Sequence, residues 1–397
     1  MTALLFDWAS LLLRWAHLLA GIMWIGTSFY FIWLDSSLRK RDQDDQTLAG
    51  ESWMVHGGGF YQVEKYLVAP EKLPEELHWF KYEAYLTWLT GFGLMAIIYY
   101  WGAEAFMINP KVMDLTPAQA IGLSIGSLVA GWVVYDLMCR SPISHQTGLL
   151  AAGVFVLIAL ASVGYTHVFS GRAAFIHIGA FIGTIMAANV FLVIIPNQKK
   201  VFADLVAGRT PDAKYGLQAK QRSLHNNYLT LPVLFMMISN HYPIAYSGSL
   251  GWLVAIGVVV AGGLIRHFFN QFDADKLDWS GRVALPMGVL AILALIVVTA
   301  GRVGGAGGGE KVAFTSVHGV IMTHCVSCHS ASPANEDFEE APGGVMFDSA
   351  DDIRRRASQI LAQTVLSDAM PLGNMTEMTE DERKLLADWV AQGAEID

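Results

Sequence analysis

The stretch AAFIHIGAFIGTIMAANVFLVII, residues 173–195, runs for twenty-three residues without a Lys, Arg, Asp or Glu. At 1.5 Å per residue it is long enough to cross the roughly 30 Å of hydrocarbon in a bilayer. Runs of this kind recur eight times before residue 302, near 9–35, 83–103, 118–139, 149–168, 173–195, 226–246, 250–272 and 282–300. The composition agrees: 53% of the 397 residues are hydrophobic, 15% are charged and the mean hydropathy is +0.40, too apolar for a water-soluble globule of this length. The first run starts almost at the N-terminus. It exceeds a signal-peptide core and no small-residue cleavage site precedes the next polar stretch, so it reads as a retained helix.

Charge distinguishes two regions and sets an orientation. Residues 1–302 carry 20 Lys and Arg against 19 Asp and Glu, whereas residues 303–397 carry 6 against 16. Neither region has the basic excess that a nucleic-acid partner demands, and three cysteines do not make a disulfide framework. The connections after the first, third, fifth and seventh runs hold sixteen Lys and Arg, and those after the second, fourth and sixth hold only Lys111 and Arg172. Short basic loops stay cytoplasmic. The N-terminus therefore reads as outside, and eight crossings bring the C-terminal tail to the same side, the periplasm of a bacterial inner membrane.

The sequence predicts three regions: a membrane domain over 1–302, a Gly-rich linker over 303–314, and a tail domain over 315–397. Periodic segments near 312–325, 350–365 and 379–393 predict three tail helices. Thr379 followed by Glu382 is a capping-box pattern at the start of the last.

Cys325-Val326-Ser327-Cys328-His329 is the strongest chemical signal. In a C-x-x-C-H pentad the two thiols reach the two vinyl groups of one porphyrin edge, and the adjacent His falls under the iron. A zinc or redox dithiol is the competing reading, and an external, helical tail of cytochrome size favours covalent haem c. The fold class expected is all-α: a polytopic bundle of eight transmembrane helices followed by a small class I-like cytochrome c domain. The second axial ligand is placed at Met370, ahead of Pro371, with Met375 and Met378 as competitors. A thioether ligand raises the potential of the haem, which suits an electron acceptor.

Ionisable residues within membrane helices are expensive to keep, which makes them functional candidates. Arg14 and His17 share one face of the first run, His177 opens the fifth, His167 ends the fourth and His241 falls late in the sixth. A haem b between His17 and His177, with Arg14 on a propionate, is the arrangement expected from this cluster. Helix-interface histidines bonded to neighbours are the bland alternative. The flanks of His17 and His177 also align at an offset of 160 residues, a weak sign of a duplicated half.

The opposite side holds other chemistry. The long first connection contains His56-Gly57-Gly58-Gly59-Phe60-Tyr61 and Glu64, and Glu83 opens the second run; His225-Asn226-Asn227-Tyr228, Arg266, His267, Asn270 and Gln271 belong at the same level. Three glycines allow a flat ligand to approach, aromatic rings can stack on it and amides can read its edge. His56, Glu64 and Glu83 are the candidates for a general base.

The combination of Arg14-Trp15-Ala16-His17-Leu18-Leu19-Ala20-Gly21 in the first run, His56-Gly57-Gly58-Gly59-Phe60-Tyr61 and a terminal C-x-x-C-H domain closely resembles the membrane-bound bacterial urate oxidase (urate hydroxylase) family over essentially the whole chain. The resemblance implies oxidation of urate to 5-hydroxyisourate in purine breakdown. It also implies that electrons leave through the fused cytochrome to a soluble cytochrome or terminal oxidase and do not reduce oxygen to peroxide. It assigns no residue role beyond the haem c motif. If urate meets the chain on the cytoplasmic side, electrons must cross most of the bilayer, which calls for the haem b relay; on the periplasmic side no relay is needed. The competing function is a non-catalytic membrane cytochrome that relays electrons from quinol or a partner dehydrogenase.

Overall fold

A computed structural model describes residues 2–40, 47–70, 72–303, 311–336, 338–367 and 369–396. The Gly-rich core of the expected linker, residues 304–310, lies outside the described residues.

The chain begins with α1 (Thr2–Ser37) and then forms an antiparallel hairpin of β1 (Leu48–His56) and β2 (Gly59–Tyr66). This hairpin corrects the all-helical expectation. Gly57 at φ +58° and Gly58 at φ +80° occupy the two turn positions, where a two-residue hairpin loop needs left-handed backbone. The glycine run thus forms the turn of this hairpin. The chain continues through α2 (Tyr82–Leu94), a π-helical segment Met95–Tyr100, short α3 (Ala103–Phe106), α4 (Pro117–Arg140), α5 (Thr147–Thr166) and α6 (Gly171–Ala188). A second π-helical segment, Asn189–Ile194, joins α6 to α7 (Ile195–Val206); α8 (Ala213–Ile238), short α9 (Pro243–Tyr246), α10 (Gly251–Asp273) and α11 (Trp279–Val303) follow.

All eight apolar runs fall on helical segments. Among the described residues six helices are long and apolar enough to cross a membrane. The two others have visible reasons for falling short. α2 gives way to the π-helical segment at Met95, and α8 starts thirteen residues before the apolar run, with Lys214, Lys220 and Arg222 in its first half.

α6 is the hub. Phe175, Ile178, Ile182 and Ile185 are fully buried on it, and it packs against α2, α4, α5 and α8. α1 lies on the outside along α2, with Trp15 61% and Ile22 60% exposed, and Val297 of α11 is 72% exposed. In water such apolar surface would be a liability; in lipid it is the expected outer face. The aligned flanks of His17 and His177 therefore sit in unlike environments, one peripheral and one central.

The tail forms α12 (Phe314–His324), α13 (Ala350–Arg355), α14 (Ala357–Ile360), which runs into a π-helical turn Leu361–Leu366, and α15 (Glu380–Ala391). The capping box is present, with Thr379 and Glu382 bonding each other's backbone N–H. Val317, Ile321, Ile353, Leu386 and Trp389 form a core of the tail's own. The tail rests on α3 and α9: a Cβ added to Gly373 would stand 3.6 Å from the Cα of Ala105, and Lys111 pairs with Glu380. This is the face to which the loop count assigns only Lys111 and Arg172.

Gly131 of α4 abuts the Phe181 ring of α6, and a Cβ there would overlap the ring; Gly126 on the same helix has open space. Gly131→Ala is expected to destabilise the fold by about 1–3 kcal/mol through overpacking. Gly126→Ala should be neutral or stabilising, and thermal unfolding in detergent compares the two.

Candidate functional site

A cavity of about 970 Å³ lies where the tail meets the helices. That volume is at the top of the ~300–1,000 Å³ range of small-molecule sites. Cys325, Cys328, His329 and Met370 line its tail wall; Arg172, Asn240, His241 and Tyr246 line the opposite wall. Local structure explains the tail side. α12 ends at His324, and the backbone N–H groups of Cys328 and His329 donate to the Cys325 carbonyl at 3.2 and 2.8 Å, curling the pentad into a compact turn. His329 Nδ1 donates to the Val345 carbonyl at 2.9 Å. A carbonyl only accepts, so Nδ1 carries the proton and Nε2 is left as the donor atom for a metal. Phe347 packs edge-on to this imidazole at 5.6 Å.

Met370 comes from a loop tied down by Arg383, which is buried and donates to the carbonyls of Thr364 and Met370 and to Asn374 Oδ1. Sequence reading passed over Arg383, since an Arg in a helix ordinarily means a solvated face. Met375 also lines the cavity, while Met378 is 3% exposed within the tail core. Two thiols one turn apart, an imidazole with its outer nitrogen available and a thioether on the same cavity match the donor chemistry of a covalently attached haem. Among the described residues no group of three or more His, Cys, Asp or Glu side chains is arranged to hold a bare metal ion.

The membrane histidines are divided. His177 is fully buried: Nδ1 donates to the Ala173 carbonyl at 2.7 Å and Nε2 accepts from Ser124 Oγ at 2.9 Å, while Ser124 in turn accepts from Tyr100 at 2.9 Å. An iron at Nε2 would have to take the place of the Ser124 hydroxyl. His17 nests in the space left by Gly91 of α2, donates from Nδ1 to the Thr87 carbonyl at 2.9 Å and keeps Nε2 available. Arg14 is exposed on α1. His167 bonds its own helix end through Val163, and His241 is exposed at the interface cavity.

A second cavity, of about 740 Å³, opens among α1, α7, α8 and α10 and is lined by Lys65, Lys220, Trp79, Asn227, Tyr228 and Asn270. Asn227 donates to Asn270 Oδ1 at 2.9 Å and accepts from the buried Arg266. The structure thus brings Asn227, Tyr228 and Asn270 together as the sequence grouped them. Their neighbours turn elsewhere. Asn226 and His225 join a buried network in which Asn189 donates to Tyr135 and Asn226, and Arg222 pairs with Asp136 at 2.7 Å.

The three base candidates line neither cavity. His56 is exposed at the hairpin tip opposite Gly59; Glu64 lies opposite Glu51, five residues along the strand and so about 17 Å away. Glu83 is in the first turn of α2.

The fold is a bundle of membrane-length helices carrying a small helical tail, with a cavity between the two. The chain belongs to the urate oxidase N-terminal family, whose model matches residues 3–300. The match ties it to urate chemistry and to the oxidoreductases. Comparison with curated proteins and with solved structures found no match.

Beside the pentad, His324 bonds Thr376 at 2.9 Å and Glu382 at 3.1 Å. Hydrogen bonds from the Thr379 backbone N–H and hydroxyl, and then from His324, hold the Glu382 carboxyl down at about 2, against 4.5 ordinarily. A depressed carboxylate contributes stability above its unfolded pKa and loses it as pH falls through the folded value. The tail is therefore expected to lose stability on going from about pH 5 towards about pH 2, and Glu382→Gln to flatten that dependence, as read by calorimetry across the range.

Proposed function

We propose that the protein oxidises urate to 5-hydroxyisourate and delivers the electrons outside the cytoplasm through a haem c on its tail. Eight crossings hold the N-terminus and the tail on the periplasmic side of a bacterial inner membrane. Cys325 and Cys328 would hold the haem covalently, and His329 and Met370 would supply its iron ligands. Bound there, it supplies a one-electron acceptor, so a soluble cytochrome or terminal oxidase must accept twice for each urate oxidised. The overall change is balanced: urate monoanion and water give 5-hydroxyisourate, one proton and two electrons.

One observation carries this reading. The wall bearing the C-x-x-C-H residues and the wall bearing polar residues of the urate oxidase N-terminal region enclose the same cavity. Substrate oxidation there needs no electron path across ~30 Å of hydrocarbon. A haem b at His17 and His177 is then dispensable, and the hydrogen bond from Ser124 to His177 supports leaving that imidazole unmetallated. The membrane wall contributes one imidazole, His241, suited to accept the proton. A simple electron conduit would need no such polar wall.

Urate added without oxygen to the oxidised, purified protein is expected to convert the c-type absorbance to its reduced form. Cys325→Ala with Cys328→Ala should bring urate consumption to background while leaving the helical bundle folded. No reduction by urate together with rapid reduction by a quinol would sink the oxidase reading.

A further inference from the structure

Nε of Arg172 and Oδ1 of Asn240, both on the membrane wall, are buried without a well-formed hydrogen bond among the described residues, and the nearest protein acceptor for the Arg172 guanidinium is the buried Tyr99 hydroxyl behind it. Both residues line the interface cavity. Buried polar atoms are nearly always satisfied, so two orphans bordering one cavity point to something that fills it. Arg172 stands in the first turn of α6, where Ser170 caps the helix and the positive end of the dipole adds to the guanidinium charge. The guanidinium lies over the Phe106 ring at 5.6 Å, an aromatic surface of the same cavity, and the buried Tyr246 closes the neighbouring wall. The combined character is cationic, flat-sided and partly desolvated.

As the side chains stand, the two orphans have opposite polarity, and a ligand with both an acceptor and a donor answers them together. Arg172 Nε requires an acceptor and Asn240 Oδ1 requires a donor. An ionised carboxylate, such as a haem propionate, has only acceptors and would answer Arg172 alone. An oxidised purine anion carries ring N–H groups next to carbonyl oxygens on one edge, and answers both.

Resting on the urate reading above, we propose that Arg172 and Asn240 form the purine-anion subsite, with the substrate held against the membrane wall of the cavity and facing the C-x-x-C-H wall. Arg172 donates to a substrate oxygen and offsets the anionic charge; Asn240 accepts from a ring N–H. These roles leave the hairpin residues His56 and Glu64 outside substrate binding.

Binding is measured apart from turnover by equilibrium dialysis of urate against the full-length protein kept reduced with dithionite. Arg172→Gln and Asn240→Leu are each expected to weaken urate binding about tenfold or more, the usual scale for a lost hydrogen bond to a charged ligand. Arg172→Lys, which keeps the charge but not Nε, should bind between the wild type and Arg172→Gln. The c-type absorbance and midpoint potential of Asn240→Leu should match the wild type, which separates loss of the subsite from loss of the fold. Wild-type protein that is reduced by urate, with both variants binding urate unchanged, overturns the subsite alone. Unchanged binding with a shifted midpoint potential in Arg172→Gln overturns it too, and gives Arg172 to a propionate. Wild-type protein that neither binds urate nor is reduced by it overturns the subsite together with the function on which it rests.

Discussion

A backbone amide or carbonyl in hydrocarbon has no water to turn to, so each membrane segment must satisfy its own hydrogen bonds, and the helix is the way a single segment does so. The architecture of residues 2–303 follows from this. Where a segment departs from the regular ladder, as at Met95–Tyr100 and Asn189–Ile194, side chains nearby carry the polar traffic: Tyr100 donates to Ser124, and Asn189 donates to Tyr135 and Asn226. Such π-helical insertions are frequent at functional sites. Here they mark the two ends of a bundle organised around α6.

The second organising feature is the seat of the tail. The tail has a core of its own, and it rests on α3 and α9, with Gly373 against Ala105 and Lys111 paired with Glu380. An exposed ion pair contributes little free energy, typically about 0–1 kcal/mol, so the Lys111–Glu380 pair alone does not account for the docking. The consequence is chemical. Residues distant in sequence, Arg172 and Asn240 on one side and Cys325 and Met370 on the other, border a single cavity.

Legibility in the sequence varied with the range of the interaction. The C-x-x-C-H turn, the Thr379 capping box and the eight helical runs depend on residues within one or two helical turns, and each was readable from spacing. The hairpin over 48–66 was also local, yet its three glycines admitted two readings, and only the positive φ at Gly57 and Gly58 showed that they serve the turn. Grouping Asn227, Tyr228 and Asn270 by depth succeeded, because residues at one level of neighbouring helices tend to meet. It could not say that Asn226 and His225, on the other face of α8, would join the Arg222 network instead. Arg383 and Asn240 were invisible. Nothing in their local sequence tells a surface polar residue from one that ties down the Met370 loop or borders a cavity.

By itself the sequence determined which segments are helical and apolar, which loops carry positive charge and where two thiols and an imidazole fall within five residues. These properties follow from covalent order and a period of 3.6 residues. Only the tertiary structure decided that α6 is central and α1 peripheral, that Ser124 occupies the nitrogen of His177, and that the tail closes a cavity against Arg172 and Asn240. The reason is physical: helix packing and domain docking depend on surface shape summed over residues hundreds of positions apart, and no local pattern encodes that sum.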